Sequence, residues 1–299
     1  RCQSIGAKYG KDAIGVAVSD RYTNEEAFAI KKMAETMGAK IFSMNNRASG
    51  IADVLGFDAS PNTIDELLST NMILAVGFNT TDNPVIELKM KQAAEAGAKV
   101  VLVNPEDYVQ HIDFLNKAVY TKNDLSFLKE VAKAVVDSGR GAGVDGYKEF
   151  AASVKDVTVS DDAKAVADMY LEAKKAMIVF NQNLITTEAA SLLADIALVS
   201  GHIGTPRDGI LQVKAKNNSQ GLVDLGITAG AEELEGVKAL VVFGEEADID
   251  TDALEFLAVS DTHMTALAAK ADVVIPGTGF ASTDGTYTNT ERRLQLVQA

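Results

Sequence analysis

The chain has 299 residues, 47% of them hydrophobic and 6% aromatic with no Trp, a composition that folds and has room for two ordinary domains. Its formal net charge of −14 repels phosphate backbones and argues against nucleic acid as a partner. No apolar run reaches the roughly 18 to 20 residues that span a bilayer, so direct membrane insertion is not expected.

Short apolar runs, each followed by a helical pattern, set the chain order. Residues 14–19 read as a buried strand, and Asn24-Glu25-Glu26 opens a helix running to about Met37, with Asn24 as N-cap and carboxylates in the first turn. Gly38 ends it, and residues 40–43 form the next strand. Strands follow at 72–77 and 99–103, separated by a helix over 85–96, and again at 176–180. The last third repeats the theme at 237–244, 256–260 and 271–276. Continuous apolar runs of this kind belong to parallel sheets covered on both faces. At least eight such strands exceed what one doubly wound sheet usually holds, so two α/β domains of related architecture are expected, without a low-complexity linker.

Cysteine usage narrows the chemistry. Cys2 stands alone, which leaves no disulfide framework, no Cys-based zinc site and no iron–sulfur cage within the sequence. His111 and His263 lack spaced His, Asp or Glu partners, so no metal site is assigned. A reducing, cytoplasmic setting fits the lone thiol and the absence of a signal peptide. The chain opens at Arg1-Cys2-Gln3 without a Met, and its natural start is expected upstream.

Neither G-x-G-x-x-G after a strand nor G-x-x-x-x-G-K-[ST] occurs, which disfavours an ordinary nicotinamide or P-loop site. Polar residues gather instead where strands end, the edge at which open α/β sheets bind ligands. They are Gly77-Phe78-Asn79, Asn104-Pro105, Asn181-Gln182-Asn183, Gly244-Glu245-Glu246 and Ser260-Asp261-Thr262-His263. Each alone is an ordinary strand-to-helix turn; five together form a ligand surface. Residues 214–221, Lys-Ala-Lys-Asn-Asn-Ser-Gln-Gly, are either a solvated loop or an amide-rich surface suited to a nucleobase or pterin edge. His202, between glycines, is either a ligand or a histidine that satisfies backbone groups. Asn289, Thr290, Arg292 and Arg293 belong to a polar, turn-forming segment that either meets a ligand or lies on the surface.

Asn217-Asn218-Ser219-Gln220-Gly221 with Asp224-Leu225-Gly226 resembles the N-N-x-Q-G-x-x-D-x-G motif of molybdopterin oxidoreductases, which include formate dehydrogenase α subunits and G-type subunits of NADH:quinone oxidoreductases. Residues 200–206 resemble that family's T-G-N-x-G-x-P turn, residues 265–276 its T-x-T-A-x-x-A-D-V-V-L-P run, and residues 284–295 its D-G-T-F-T-N-T-E-R-R-V-Q segment. Thr23-Asn24-Glu25-Glu26 and Val76-Gly77-Phe78-Asn79 also fit, so the resemblance covers nearly the whole chain.

The resemblance implies two Rossmann-like doubly wound domains, one inserted in the other: residues 1–47 plus 215–299 outside, residues 48–214 inserted. Each would hold one arm of a molybdopterin guanine dinucleotide cofactor. The contacts it implies fall on Gly77, Asn79, Asn104, Asn183, His202, Gly204, Asn217, Asn218, Gln220, Gly244, Asp261, Thr265 and Asn289. It also implies partner subunits of a redox complex, through which the protein would associate with a membrane, and 4Fe-4S clusters in an N-terminal module that has no counterpart here.

Departures from the family pattern bear on catalysis. Where active members carry a metal-binding Cys, selenocysteine or Ser two residues after an Arg, Asn46-Arg47-Ala48-Ser49 offers Ser49, while an ungapped reading offers Ser43. The His that follows this ligand in formate dehydrogenases is absent. Lys214 replaces the Arg expected to hold formate, keeping the charge without the bidentate fork. Asn104-Pro105 replaces Asp-Pro. Ser49 and Lys214 are the catalytic candidates. Three readings stand: a G-type redox subunit without molybdenum chemistry, a formate dehydrogenase-type enzyme, and a structural scaffold of a redox complex.

Overall fold

Val16 and Ala17 are neighbours on one strand, fully buried, and feed different cores. Val16 joins Ala27, Ile30 and Leu222, whereas Ala17 joins Phe42, Leu240, Val242 and Val259. A strand that buries alternate residues on both sides lies inside a sheet covered on both faces, the arrangement the apolar runs predict. The computed structural model describes residues 1–44, 48–245 and 248–299; Asn46, Arg47 and Glu246, named above, lie outside them.

The chain divides into two units, residues 1–48 with 215–299 and residues 49–214. The first unit begins with α1 (Cys2–Tyr9), β1 (Ile14–Val18), α2 (Asn24–Met37) and β2 (Lys40–Phe42). Helix α2 is capped by Thr23 and not by Asn24. The Glu26 amide donates to Thr23 Oγ1 (3.2 Å) and the Thr23 amide donates to Glu26 Oε2 (2.9 Å), a reciprocal capping box. Asn24 is freed to donate to Thr286 Oγ1 and Thr288 Oγ1, 3.1 Å each. Gly38, at φ 66°, ends the helix in the left-handed conformation a Cβ disfavours.

The second unit holds α3 (Ala52–Leu55), β3 (Met72–Val76), α4 (Pro84–Glu95), β4 (Lys99–Pro105), β5 (Lys117–Thr121), α5 (Asp124–Asp137), α6 (Tyr147–Ser153), α7 (Asp161–Glu172), β6 (Ala176–Asn181), α8 (Thr187–Ser200) and β7 (Gly209–Val213). Its strands are all parallel, in the order β5-β4-β3-β6-β7. One face packs Leu74 and Val76 against Leu128, Val131 and Leu193; the other packs Ile73 and Ala75 against Ile86 and Met90.

The chain then returns to the first unit with α9 (Ser219–Asp224), β8 (Ala239–Phe243), β9 (Phe256–Asp261), β10 (Val273–Pro276) and the hairpin β11 (Gly285–Thr288) and β12 (Leu294–Val297). The parallel order here is β10-β9-β8-β1-β2. Counted in order of appearance within each unit, this sheet runs 2-1-3-4-5 and that of the second unit 3-2-1-4-5. These are the flavodoxin-like and Rossmann-like variants of one doubly wound plan. The direction of winding reverses between β1 and β8 in one unit and between β3 and β6 in the other.

Two sequence expectations need correction here. Residues 273–276 were expected to be buried on both faces, yet Val273, Val274 and Ile275 are 43%, 40% and 48% exposed, because the edge strand β10 is left uncovered on both faces. Residues 284–293 read as a turn-forming loop, but Gly285–Thr288 pairs antiparallel with Leu294–Val297.

Candidate functional site

At the reversal point of the first unit the carboxyl ends of β1, β8 and β9 open into a cavity of about 430 Å³. Gly244, Asp261 and Thr265, three of the expected positions, line it together with Glu26 and His263, named above at a helix start and a strand end, and with Arg21, Tyr22, Phe280 and Tyr287, which the sequence reading did not single out. Gly244 has φ 63°, and a Cβ there would come within 2.5 Å of the Tyr22 ring, so close approach as well as backbone conformation requires Gly. The Asp261 carboxylate accepts from the Thr262 amide (2.7 Å), and its main-chain carbonyl accepts from Gly277 (2.8 Å). Burial, with Glu26 and Asp261 nearby, raises the Tyr22 phenol above its ordinary range against a hydrogen bond with Ser260, so Tyr22 is neutral and available as donor and stacking surface.

The Asn pair beside this edge acts on the protein itself. Asn218, fully buried, donates to the Tyr22 carbonyl (2.8 Å) and accepts from the Thr288 amide (2.7 Å), tying the turn after β1 to β11. Gln220 donates to Asp224 Oδ1 (3.1 Å). Asn217 is exposed and lies in hydrogen-bonding reach of the Tyr287 hydroxyl. Asn289 accepts from the Glu291 and Arg293 amides (3.2 and 2.8 Å), building the hairpin turn; Arg292 and Arg293 pair with Asp224 and Glu291.

In the second unit the expected positions Gly77, Asn79, Asn104 and Asn183 all fall at the carboxyl edge. Gly77 has φ 57°, with Ile185 only 2.6 Å from where a Cβ would sit. Asn79 folds back on Asp82 and Thr81 (2.7 and 2.9 Å), and the amide of the exposed Asn183 donates to Asn181 Oδ1. Asn104 is fully buried. Its Oδ1 accepts from the Phe78 amide (2.9 Å) while its Nδ2 donates to the Phe78 carbonyl (3.0 Å), a double contact that a carboxylate in its place cannot make.

The two catalytic candidates, the first and last residues of this unit, meet on one residue that the sequence reading missed. Ser49 donates its amide to Asp58 Oδ2 and its hydroxyl to Asp58 Oδ1, 2.8 Å each, and Lys214 Nζ lies 3.3 Å from Asp58 Oδ1. Lys214 also donates to Gln182 Oε1 (3.1 Å), which accepts from Gln212 Nε2 (2.6 Å). The Lys214 and Asp58 side chains are 1% and 7% exposed. Burial alone would raise the Asp58 carboxyl, but the Lys214 ammonium and the Ser49 donors hold it below the usual carboxylate range. The sequence signal is indirect: a buried Lys demands a carboxylate partner.

His202 and Gly204 stand elsewhere. His202 Nδ1 lies 2.7 Å from Asp208 Oδ1, the same oxygen that accepts from the Ala176 amide (3.0 Å). Asp208 precedes β7 and Ala176 opens β6, so this cluster occupies the amino edge, opposite Asn79, Asn104 and Lys214. Gly204 lines a separate cavity of about 200 Å³ with Asn62, Glu66 and Pro206. The two residues therefore do not share an edge with the other expected contacts of their unit. The turn was placed by its motif, and the motif does not say which end of the sheet it serves.

Among the described residues no group of three or more His, Cys, Asp or Glu side chains is placed to hold a metal, and no helix is long and apolar enough to cross a membrane.

A family model described as molybdopterin oxidoreductase matches residues 1–299. The chain belongs to the molybdopterin oxidoreductase family. Among curated relatives of this molybdopterin oxidoreductase chain, the F420-dependent formate dehydrogenase subunit alpha of Methanocaldococcus jannaschii is 26% identical, the match covering 96% of the chain and 54% of the relative. Formate dehydrogenase H of Escherichia coli is 24% identical over 99% of the chain and 52% of the relative. The chain thus spans about half the length of these relatives. Acetylene hydratase from Pelobacter acetylenicus shares the fold with a TM-score of 0.69 at 12% identity, covering 99% of this chain and 54% of that one. A chain of the formyltransferase/hydrolase complex from Methylorubrum extorquens gives 0.64 at 15% identity, covering 100% of this chain and 90% of that one.

Proposed function

We propose that the chain is the nucleotide-binding core of a redox-complex subunit of the kind found as the G subunit of NADH:quinone oxidoreductases, without formate chemistry of its own. The single observation that carries this reading is the state of Lys214, whose charge is engaged by Asp58 inside the protein and so is not presented to a carboxylate substrate. Other subunits of a redox complex would supply donor and acceptor.

The first-unit cavity fits a guanine dinucleotide arm of molybdopterin. Asp261 accepts from paired N–H donors such as those on the guanine edge, Arg21 offers charge-assisted bonds to phosphate, and Tyr22, Phe280 and Tyr287 supply flat apolar faces. Gly244 keeps the floor open where a side chain would fill it. When bound, the cofactor supplies the metal-carrying dithiolene that two-electron redox chemistry needs; this chain's residues bind and orient its nucleotide end.

Metal and pterin analysis of the longest natural form of the protein, with an assay of formate-dependent reduction of an artificial acceptor, tests the reading. The expected result is bound nucleotide with no formate turnover. The formate dehydrogenase-type reading is favoured by one finding, the α-subunit relatives at 24–26% identity over nearly the whole chain. Formate turnover that disappears on Lys214→Met would establish it instead.

A further inference from the structure

We propose that the Asp58 carboxylate occupies, at Lys214, the position a small carboxylate ligand would take, so that the chain carries its own anion at this cation. The proposal deepens the reading above, which it explains: the family's formate-holding position is not merely altered to Lys but closed from within.

The geometry is that of a bound anion. Oδ1 receives the Lys214 ammonium at 3.3 Å and the Ser49 hydroxyl at 2.8 Å; Oδ2 receives the Ser49 amide at 2.8 Å; the Gln212 side chain is also within reach. The partners come from three places in the sequence and converge beside the carboxyl ends of β6 and β7, the edge at which this class of sheet receives ligands. Both charged side chains are withdrawn from solvent, so neither is a surface pair that salt dissolves. Asp58 lies on the segment following α3, outside any strand, and its side chain is buried. An ammonium at this depth needs an anion, and the chain supplies one covalently.

The second consequence is mechanical. Ser49 and Lys214 are where the chain enters and leaves the second unit, and Asp58 fastens both. The same carboxylate therefore closes the anion site and clasps the two crossings.

Truncating Asp58 to Ala deletes a carboxylate and leaves a methyl, so the missing piece has the size and charge of formate. The test is chemical rescue of D58A in the full chain, with sodium formate as probe and sodium chloride as ionic-strength control. D58A is expected to melt on the order of 10 °C below wild type, as loss of one partner of a buried pair implies. Formate at tens of millimolar should restore at least half of that loss, benzoate none, and wild type should not respond. The double variant D58A/K214M should lose the formate response altogether. Where D58A does not accumulate as folded protein, refolding yield in formate against chloride is the readout, with a rise of five-fold or more expected. Equal stabilisation of wild type and D58A by formate, or no rescue of D58A by either readout, overturns the proposal. These measurements need no bound cofactor, so their failure is separate from that of the functional reading, which fails on formate turnover by the loaded protein.

Discussion

Asn104 holds the backbone of Phe78 by both of its polar groups, taking the Phe78 amide on Oδ1 at 2.9 Å and giving Nδ2 to the Phe78 carbonyl at 3.0 Å. The contact fixes the turn after β3 at the reversal point of the second sheet. It also accounts for an amide where the family pattern has an acid. Asn104→Asp is expected to lose the donor and to bury an ionised acceptor facing a carbonyl, at a cost of about 2–4 kcal/mol. Urea unfolding of the variant should show a lower midpoint with an unchanged slope; an unshifted midpoint would refute the account.

For the first-unit cavity the expected behaviour is nucleotide binding that depends on Gly244 and Asp261. A guanine nucleotide such as GDP should bind measurably in calorimetry, and Asp261→Ala should weaken it by roughly ten-fold or more, the worth of one charge-assisted contact. Gly244→Val should abolish binding by driving a side chain into Tyr22. Binding that is indifferent to both changes would place the nucleotide elsewhere.

The amino edge of the second unit predicts acid sensitivity. Burial would raise the Asp208 carboxyl, but the Ala176 amide and His202, with Lys175 beside them, hold it below its ordinary range. A depressed carboxylate contributes stability that is present above the unfolded value and is lost as pH falls through the folded one. Asp208→Asn should therefore cost about 2–4 kcal/mol at neutral pH, with the gap to wild type closing below about pH 4. A gap that stays constant from pH 7 to 3 would show that charge has no part in it.

Asp195, on α8, has the opposite sign. Burial pushes its carboxyl up to about 6, so the folded state holds a proton that the unfolded chain has released, and stability falls as pH rises from about 4 to 6. Because the group keeps partial contact with water, the penalty at neutral pH is about 1 kcal/mol, well below the full linkage value. Asp195→Asn should raise Tm at pH 7.5 by roughly 2–4 °C and have little effect at pH 4. Thermal scans at the two pH values decide it.

The two-sided strands were legible because their burial writes itself as unbroken apolar runs, as in β3 with Met72-Ile73-Leu74-Ala75-Val76. β7 escaped notice because Gly209 and Gln212 interrupt its pattern, although every residue of it is buried. The hairpin escaped because Thr286, Tyr287 and Thr288 look like a loop when nothing shows their partners, and β10 misled because composition reports apolarity but not whether a helix lies above it. The strand-end residues were recognisable as a class, and four of them, Gly244, Asp261, Thr262 and His263, line one cavity. Asp58 was not, since the ammonium it pairs with stands 156 positions away and nothing in Gly56-Phe57-Asp58 marks it. The backbone partners of the amide side chains were not legible: Asn104 and Asn218 are engaged with backbone groups that only the folded chain brings near, while Asn289 closes a local turn with the Glu291 and Arg293 amides.

The order of strands in the first sheet has a consequence for synthesis. β1 needs β8 beside it, and Gly15 pairs with Leu240, whereas every strand of the second sheet lies between residues 72 and 213. At ribosomal speeds the gap between β1 and its partner amounts to roughly 10 to 45 s. During that interval the second unit can emerge and close, while β1, with all five of its residues destined for burial, waits with one edge unpaired. The nascent first unit is then the aggregation-sensitive stage of the protein's life, and slowing translation beyond residue 214 should lower the soluble yield more than slowing it before residue 49.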